Sequence, residues 1–307
     1  MGSWSFAIIS DIHVFSSGAV PSAFASVVQQ IAAEKPRFVV MAGDATVGNP
    51  GDGVRSEKVN AWWTSFHAAL APLRQAGIPV LPIAGNHDYY TDAHREGYVA
   101  AWADVAREAA EAGLGEVVGQ PPLSYWLRID GTFLLMLHVV DQKLDPQVAA
   151  FAQEALARDE ATSATLRLCC GHVPLVSMMG KTSETFRDQL GGLLCRGGVA
   201  AYFSGHEHLV WDQSLRLADG EIRQIHVGTA SGTYHYPLNS ATFAEHCRDG
   251  KGVLPYTGQT FRLLPGTRQQ ADKVTVAFVD IAGDDESGLY QVRPLSLRDG
   301  RLLPFGE

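Results

Sequence analysis

Short apolar runs rich in β-branched and aromatic residues recur along the first two thirds of the chain, and segments with helical spacing of apolar residues lie between several of them. The runs that predict strands are WSFAII, RFVVMA, PVLPIA, FLLMLHVV, TLRLCC and VAAYFS. The segments that predict helices are SAFASVVQQIAAEK, SEKVNAWWTSFHAALAPLRQAG, REGYVAAWADVAREAAEAG, PQVAAFAQEALARDEA and SETFRDQLGGLLCRGG. Strands that alternate with helices are typical of a layered α/β domain.

After about residue 208 the pattern changes to strands joined by short glycine and aspartate turns. The predicted strands there are DQSLRLA, EIRQIHV, KVTVAFVDI and LYQVRPLSL, so we expect 209–307 to be strand-rich and to form a mixed sheet or a second packed sheet. Within it, 246–270 is rich in glycine and proline and lacks periodicity, which predicts a surface excursion. No segment has the composition of a linker, and we predict one domain over 1–307.

The charge balance narrows the choice of partners. The chain has 24 Lys and Arg against 33 Asp and Glu, a net charge of −9, and it has no basic run. We therefore expect neither extended nucleic acid nor an anionic membrane surface as a partner. A small phosphorylated substrate is compatible with this charge, because bound metal cations can invert the local field.

Neither a membrane span nor a secretion signal is expected from the sequence. No window reaches the roughly 18 apolar residues of a membrane span, and MGSWSFAIIS lacks the basic and long apolar regions of a signal peptide. The cysteines are Cys169, Cys170, Cys195 and Cys247. They form no CxxC pair, so we interpret them as buried small side chains in a reducing compartment and expect a cytoplasmic protein. Cys169 and Cys170 are adjacent in a predicted strand and should point to opposite faces.

Five of the predicted strands end in small residues followed by polar side chains that commonly bind metals. FAIIS leads to Asp11 and His13, FVVMA to Asp44, VLPIA to Asn86, His87 and Asp88, LRLCC to His172, and AAYFS to His206 and His208. Ligands of α/β sheets gather just beyond the carboxyl ends of the strands. The sequence therefore predicts that these side chains share one crevice.

The residue types in this set favour a particular kind of metal site. Carboxylate and amide oxygens with imidazole nitrogens and no thiolate suit Mn, Fe, Zn or Co better than a soft metal. Seven of these nine side chains would be too many for one tetrahedral centre but would fill two centres that share a carboxylate. In the D-x-H and H-x-H motifs, alternate residues lie on the same side of an extended segment.

In their order along the chain, these motifs resemble the calcineurin-like metallophosphoesterase family. The family pattern is D-x-H, GD, GNH followed by Asp or Glu, an isolated His, and GHxH; the chain has DIH, GD, GNHD, GH and GHEH. The resemblance implies a four-layer αββα sandwich of two mixed β-sheets flanked by helices. It also implies one metal ion on Asp11, His13 and His208, a second on Asn86, His172 and His206, and Asp44 as the bridging ligand.

By the same resemblance, His87 and Asp88 are catalytic rather than metal-binding. His87 would lie beside the substrate and stabilise the phosphoryl charge or protonate the leaving oxygen, and Asp88 would orient the His87 ring through a hydrogen bond. Attack on phosphorus would come from a hydroxide bridging the two metal ions. The implied function is metal-dependent hydrolysis of phosphate esters.

The spacing of GHVPLVS and LGGLLCRGGVAAYFSGHEHLVW is similar to the purple and tartrate-resistant acid phosphatase branch of the family. That branch has a tyrosine ligand three residues after the GD aspartate, where this chain has Val47, so we expect no purple ferric site. Phosphomonoester hydrolysis is slightly favoured. Cyclic or linear nucleotide phosphodiesterase activity is the alternative, and a non-catalytic scaffold is a distant one.

Other candidate residues are interpreted more conservatively. Structural hydrogen bonding is the default for His67, His94, His138 and His246. His226 follows a strand expected near the site, and His235 with the neighbouring Gly/Ser/Thr turn is a weaker candidate for the substrate cleft. Tyr89 and Tyr90 follow GNHD directly, where an aromatic side chain packs more often than it binds substrate.

Overall fold

The computed structural model describes residues 2–50, 54–178, 182–232, 274–283 and 289–304, together with three short strands at 251–253, 260–262 and 268–270. The strands are β1 Trp4–Ile9, β2 Val39–Ala42, β3 Val80–Ile83, β4 Val117–Gln120, β5 Ser124–Ile129, β6 Thr132–Met136, β7 Leu166–Cys170, β8 Ala201–Ser204, β9 Val210–Leu217, β10 Gly220–Val227, β11 Lys251–Val253, β12 Thr260–Arg262, β13 Arg268–Gln270, β14 Thr275–Ile281, β15 Tyr290–Arg298 and β16 Arg301–Pro304. The helices are α1 Ser22–Glu34, α2 Ser56–Ala69, α3 Ala71–Gln75, α4 Asp92–Ala101, α5 Val105–Glu111, α6 Pro146–Ala157, α7 Asp159–Thr162 and α8 Glu184–Arg196.

The described strands form two large mixed sheets. The first has the order β16-β15-β14-β1-β2-β3, with β1, β2 and β3 parallel and β14 antiparallel to β1. The second has the order β13-β9-β10-β8-β7-β6-β5-β4, with a parallel centre made of β10, β8, β7 and β6. A separate two-stranded sheet pairs β11 with β12. The predicted excursion at 246–270 otherwise lies outside the described residues.

Three buried clusters define the layers. Ile8 and Val40 of the first sheet meet Leu168 and Phe203 of the second between the sheets. A second cluster packs α1, α2 and α4 on the outer face of the first sheet, and a third packs α6 and α8 on the outer face of the second. This confirms the predicted four-layer αββα sandwich. Adjacent side chains of one strand point to opposite faces, and Cys169 accordingly joins the outer cluster while Cys170 joins the central one.

Three predicted helices are each divided into two. The segment 146–161 forms α6 and α7 with Arg158 between them. The segment 56–77 forms α2 and α3 with Leu70 between them, and Pro72 lies in the first turn of α3, where its missing N–H costs no hydrogen bond. The segment 95–113 forms α4 and α5, separated by a turn at 102–104. The hairpin of β4 and β5 was not predicted, and β5 lies almost wholly in the core.

The fold brings together the polar strand ends. β1, β2 and β3 are parallel neighbours, and β7 and β8 are parallel neighbours in the sheet that packs against them. Parallel strands end at the same edge of a sheet. Among the described residues, no helix is long and apolar enough to cross a membrane.

The core between the sheets should dominate stability. Leu168 is fully buried there, and truncation to alanine removes its contacts and leaves a cavity. We predict that Leu168→Ala lowers the free energy of unfolding by about 2–5 kcal/mol. Leu289 is 58% exposed and provides the matched control. Leu289→Ala should change the free energy of unfolding by less than about 0.5 kcal/mol. Equal shifts of the two variants in chemical denaturation would contradict this description of the core.

Candidate metal centre

The loops that carry the polar residues have an unusual backbone. Eight non-glycine residues of the described chain have positive φ angles. Five of them are candidate ligands: Asp11, His13, Asp44, His206 and His208, with φ between 53° and 70°. A non-glycine residue in the left-handed region is uncommon, costs free energy, and is found most often at functional sites.

Hydrogen bonds from neighbouring loops hold these conformations. The backbone N–H groups of Ile12 and His13 donate to the carbonyl oxygen of Asp44 at 2.9 and 3.0 Å. The backbone N–H of His206 donates to Asp11 Oδ2 at 2.9 Å. The first, second and last of the five loops are thereby connected to one another.

The first group of side chains consists of Asp11, His13 and His208, all buried. His208 Nε2 lies 3.1 Å from Asp11 Oδ1 and 3.1 Å from His13 Nε2. His13 Nε2 lies 3.8 Å from Asp11 Oδ1. Two ring nitrogens and a carboxylate oxygen therefore converge on one point.

The second group consists of Asn86, His172 and His206. Asn86 Oδ1 lies 3.1 Å from His172 Nε2 and 2.9 Å from His206 Nδ1. His172 Nδ1 lies 2.8 Å from the carbonyl oxygen of Ala42, to which it can donate its proton. With Nδ1 donating to that carbonyl, Nε2 is the ring nitrogen directed at the site, as in metal-binding histidines.

Asp44 lies between the two groups. Its Oδ2 is 3.8 Å from His13 Nε2 on one side and 3.3 Å from His172 Nε2 on the other. This oxygen is buried and accepts no well-directed hydrogen bond, whereas Oδ1 accepts one from the backbone N–H of His87 at 2.9 Å. A buried carboxylate oxygen without a hydrogen bond is costly unless a cation satisfies it. The donor set thus fits a pair of metal ions that share Asp44.

The electrostatics of the site favour cation binding. Burial lowers the pKa of His13 to about 3 and that of His206 to about 4, so both rings are neutral near pH 7. Burial opposes ionisation of Asp44, but the surrounding imidazoles, His172 first, outweigh it and hold its pKa below the usual range. Burial likewise disfavours protonated His172, yet the Asp44 carboxylate outweighs it and raises the pKa of His172 to about 9. Without metal, a protonated His172 balances part of the carboxylate charge.

His87 and Asp88 are placed differently from each other. His87 is partly exposed, with Nε2 3.9 Å from Asp44 Oδ2 and Nδ1 2.5 Å from the carbonyl oxygen of Val47. The predicted hydrogen bond from Asp88 to the His87 ring is wrong. Asp88 is buried beneath the loop and accepts instead from the backbone N–H groups of Gly85, Ala45 and Thr46 and from the Thr46 hydroxyl.

This arrangement gives Asp88 a structural role, and the backbone carbonyl of Val47 orients His87. Burial, and then the charge of Asp44, raise the pKa of Asp88 to about 6 despite its hydrogen bonds to backbone N–H groups. The carboxylate connects the GNHD turn to the loop after β2. No periodicity or spacing in the sequence could indicate that Asp88 accepts hydrogen bonds from backbone N–H groups and not from the His87 ring.

Three further residues support the centre. Thr229 and Ser231 are buried after β10, and their hydroxyls donate to the carbonyl oxygen of Asp11 at 2.8 and 3.1 Å. Glu207, the central residue of GHEH, is buried and accepts from the Ser177 hydroxyl and from the backbone N–H of Met178 at 2.8 Å. The signal in the sequence that could have identified Glu207 is a carboxylate placed between two candidate ligands in GHEH.

The remaining candidates have the following positions. His226 is fully buried, with Nδ1 3.3 Å from Glu207 Oε2, and burial lowers its pKa to about 3. Tyr89 packs against His138, with ring centroids 4.3 Å apart. His67 and His94 lie in aromatic and hydrogen-bonded surroundings on α2 and α4. His235, His246 and Cys247 lie outside the described residues.

The site and the fold define an α/β protein with a candidate dinuclear metal centre at the strand ends. The sequence model of the family described as calcineurin-like phosphoesterase matches residues 5–210. The chain belongs to this family, and membership supports metal-dependent hydrolysis of phosphate esters. No curated protein sequence matches the chain significantly.

Several solved structures share the fold. A purple acid phosphatase, PPD1, from seeds of yellow lupin (Lupinus luteus) has a TM-score of 0.64 at 13% identity, over 99% of this chain and 53% of that one. The chain thus spans about half the length of the lupin protein. GAP50, described as the anchor in the inner membrane complex of Plasmodium, has a TM-score of 0.63 at 13% identity over 99% and 87% of the two chains. A dimetal phosphatase from Danio rerio has a TM-score of 0.53 at 11% identity over 91% and 96%. At 11–13% sequence identity, these comparisons show a shared fold.

The close approach of the GNHD turn to Asp44 can be tested at Gly85. A Cβ atom there would overlap the carboxylate and the backbone N of Asp44. We predict that Gly85→Ala displaces Asp44 and weakens metal binding at least tenfold, measured by metal titration of chelator-treated protein. Gly192→Ala, within α8, is the control, because the side-chain ends of Asp219 and Arg196 that it meets are partly exposed and can move. Unchanged metal affinity in Gly85→Ala would contradict the assignment of Asp44 to the centre.

Proposed function

We propose that the protein is a metal-dependent phosphoesterase with two metal ions per chain. The observation that carries the proposal is the buried Oδ2 of Asp44, which faces ring nitrogens of both groups and accepts no well-directed hydrogen bond. In the proposed assignment Asp11, His13 and His208 hold one ion, Asn86, His172 and His206 hold the other, and Asp44 is shared. Mn, Fe and Zn all suit this nitrogen and oxygen donor set.

Two bound cations would activate a water molecule and neutralise charge on the phosphoryl oxygens. The protein's own contribution is to fix the candidate ligands in strained loops and to keep the imidazoles of His13 and His206 neutral through burial. The side chain of His87 is 19% exposed. The carbonyl oxygen of Val47 takes up Nδ1, and Nε2 lies 3.9 Å from Asp44 Oδ2, where it can stabilise a phosphoryl oxygen or give a proton to the leaving oxygen.

The substrate is proposed to be a small phosphorylated molecule, with monoester hydrolysis slightly favoured by the resemblance to the acid phosphatase branch. Nucleotide phosphodiesterase activity is the second candidate. It is favoured by Val47, which stands where that branch has a tyrosine ligand. A scaffold role is ranked last, although GAP50 is described as an anchor, because none of the seven ligand positions or the GNH histidine is lost.

Hydrolysis of p-nitrophenyl phosphate and bis-p-nitrophenyl phosphate tests the proposal. The protein is stripped with a chelator and refilled with Mn, Fe, Zn or Mg. We predict turnover that disappears on stripping and returns with metal, with the monoester cleaved faster. Faster cleavage of the diester would select the second candidate. Two bound ions without turnover of either ester would contradict general phosphoesterase activity.

Two substitutions separate catalysis from metal binding. His87→Asn should lower turnover by roughly 10²–10⁴-fold, the range expected for loss of a general acid, and leave close to two metal ions per chain. Asp44→Asn should deplete the metal, because it removes charge from the shared position. His67→Asn on α2 is the control and should change neither. Loss of metal in His87→Asn, measured by elemental analysis, would contradict this division of roles.

A further inference from the structure

Tyr90 contacts both of the GNHD side chains that face the centre. Asn86 Nδ2 donates to the Tyr90 hydroxyl at 3.2 Å, and the ring centroids of Tyr90 and His87 lie 4.9 Å apart with an edge-on geometry of 61°. Its position directly after GNHD predicts a packing residue. The structure assigns it a specific partner.

The hydrogen bond determines how Asn86 meets the centre. An asparagine amide has one oxygen and one nitrogen, and only the oxygen is a good metal ligand. Because Nδ2 is taken up by Tyr90, Oδ1 is left facing His172 Nε2 at 3.1 Å and His206 Nδ1 at 2.9 Å. Rotation of the amide about its terminal bond would break this bond and turn the oxygen away.

The Tyr90 ring is itself held in place. It lies between the ring of His87 and that of His94, whose centroid is 6.0 Å away. A Cβ atom at Gly48 would overlap the ring, so the backbone of that loop lies directly against it. His94 is buried and is fixed by hydrogen bonds to Thr91 at 2.7 Å and to the backbone N–H of Asn49 at 3.3 Å. The hydroxyl thus occupies a defined position.

We propose that Tyr90 is a positioning residue that holds the Asn86 amide with its oxygen directed into the second metal site, formed by Asn86, His172 and His206. The inference rests on the proposed assignment of Asn86 as a metal ligand. Groups that orient metal ligands in this way typically contribute 10–100-fold to metal affinity. The effect of Tyr90 on metal affinity should be confined to this second site, because Tyr90 has no described hydrogen bond to Asp11, His13 or His208.

Tyr90→Phe removes the hydroxyl and keeps the ring contact with His87. The chain offers Tyr89→Phe as a matched control at the next position, because the Tyr89 hydroxyl makes no hydrogen bond to a described residue and its ring packs on His138. Chelator-treated proteins are titrated with Mn²⁺, and affinity is read by calorimetry and by the spin-coupled signal of the dinuclear pair. We expect Tyr90→Phe to weaken one of two binding steps 10–100-fold. The other step, and both steps in Tyr89→Phe, should be unchanged.

The Asn86→Asp background distinguishes positioning of the amide from general support of the fold. A carboxylate presents an oxygen in either orientation, so adding Tyr90→Phe to Asn86→Asp should cost less than threefold. The same loss in both backgrounds, or no loss in the native background, would overturn the inference. Phosphoesterase turnover is measured separately on the wild type. Two-step binding with the Tyr90 effect but no turnover would support the inference and contradict the proposed function.

Discussion

The position of the Asp44 carboxylate is the constraint on which the rest of the site depends. Its Oδ2 is buried between imidazoles from both groups and has no well-directed hydrogen bond. Such an atom is unfavourable in an apolar interior, and a shared metal pair would remove the penalty. The surrounding loops maintain this placement through strained backbone conformations and a dense set of hydrogen bonds. The strained backbone and the buried carboxylate both lower the stability of the fold, and together they form a preorganised anionic centre.

The two sheets contribute different parts of the centre. The first sheet supplies Asp11, His13, Asp44 and Asn86 from three parallel strands, and the second supplies His172, His206 and His208 from two. The apolar core between the sheets therefore sets the distance between the two sets of candidate ligands. Asp88 connects loops within the first sheet, and Glu207 connects the two ligand loops of the second. The packing of the two sheets therefore determines where the candidate ligands lie.

The positions of the candidate ligands and of the strands could be predicted because they depend on short stretches of sequence. A buried apolar strand that ends in Gly-Asp or Gly-His reveals a ligand position without knowledge of the fold, and alternation along the strand correctly separated Cys169 from Cys170. The partners of Asp88 and the roles of Thr229 and Tyr90 depend on contacts between segments distant in sequence or on side-chain direction, which spacing does not encode. Asp and His tolerate the left-handed region better than most residues, but spacing does not indicate that Asp11 and His208 adopt it.

Anomalous diffraction from crystals of the Mn²⁺-loaded protein would show whether two metal ions share Asp44. We predict two peaks about 3.5–4 Å apart, the spacing of catalytic metal pairs, with Asp44 Oδ2 bound to both ions. One peak should lie beside Asp11, His13 and His208, and the other beside Asn86, His172 and His206. A single peak, or two peaks that do not share Asp44, would contradict the proposed pair of metal ions bridged by this carboxylate.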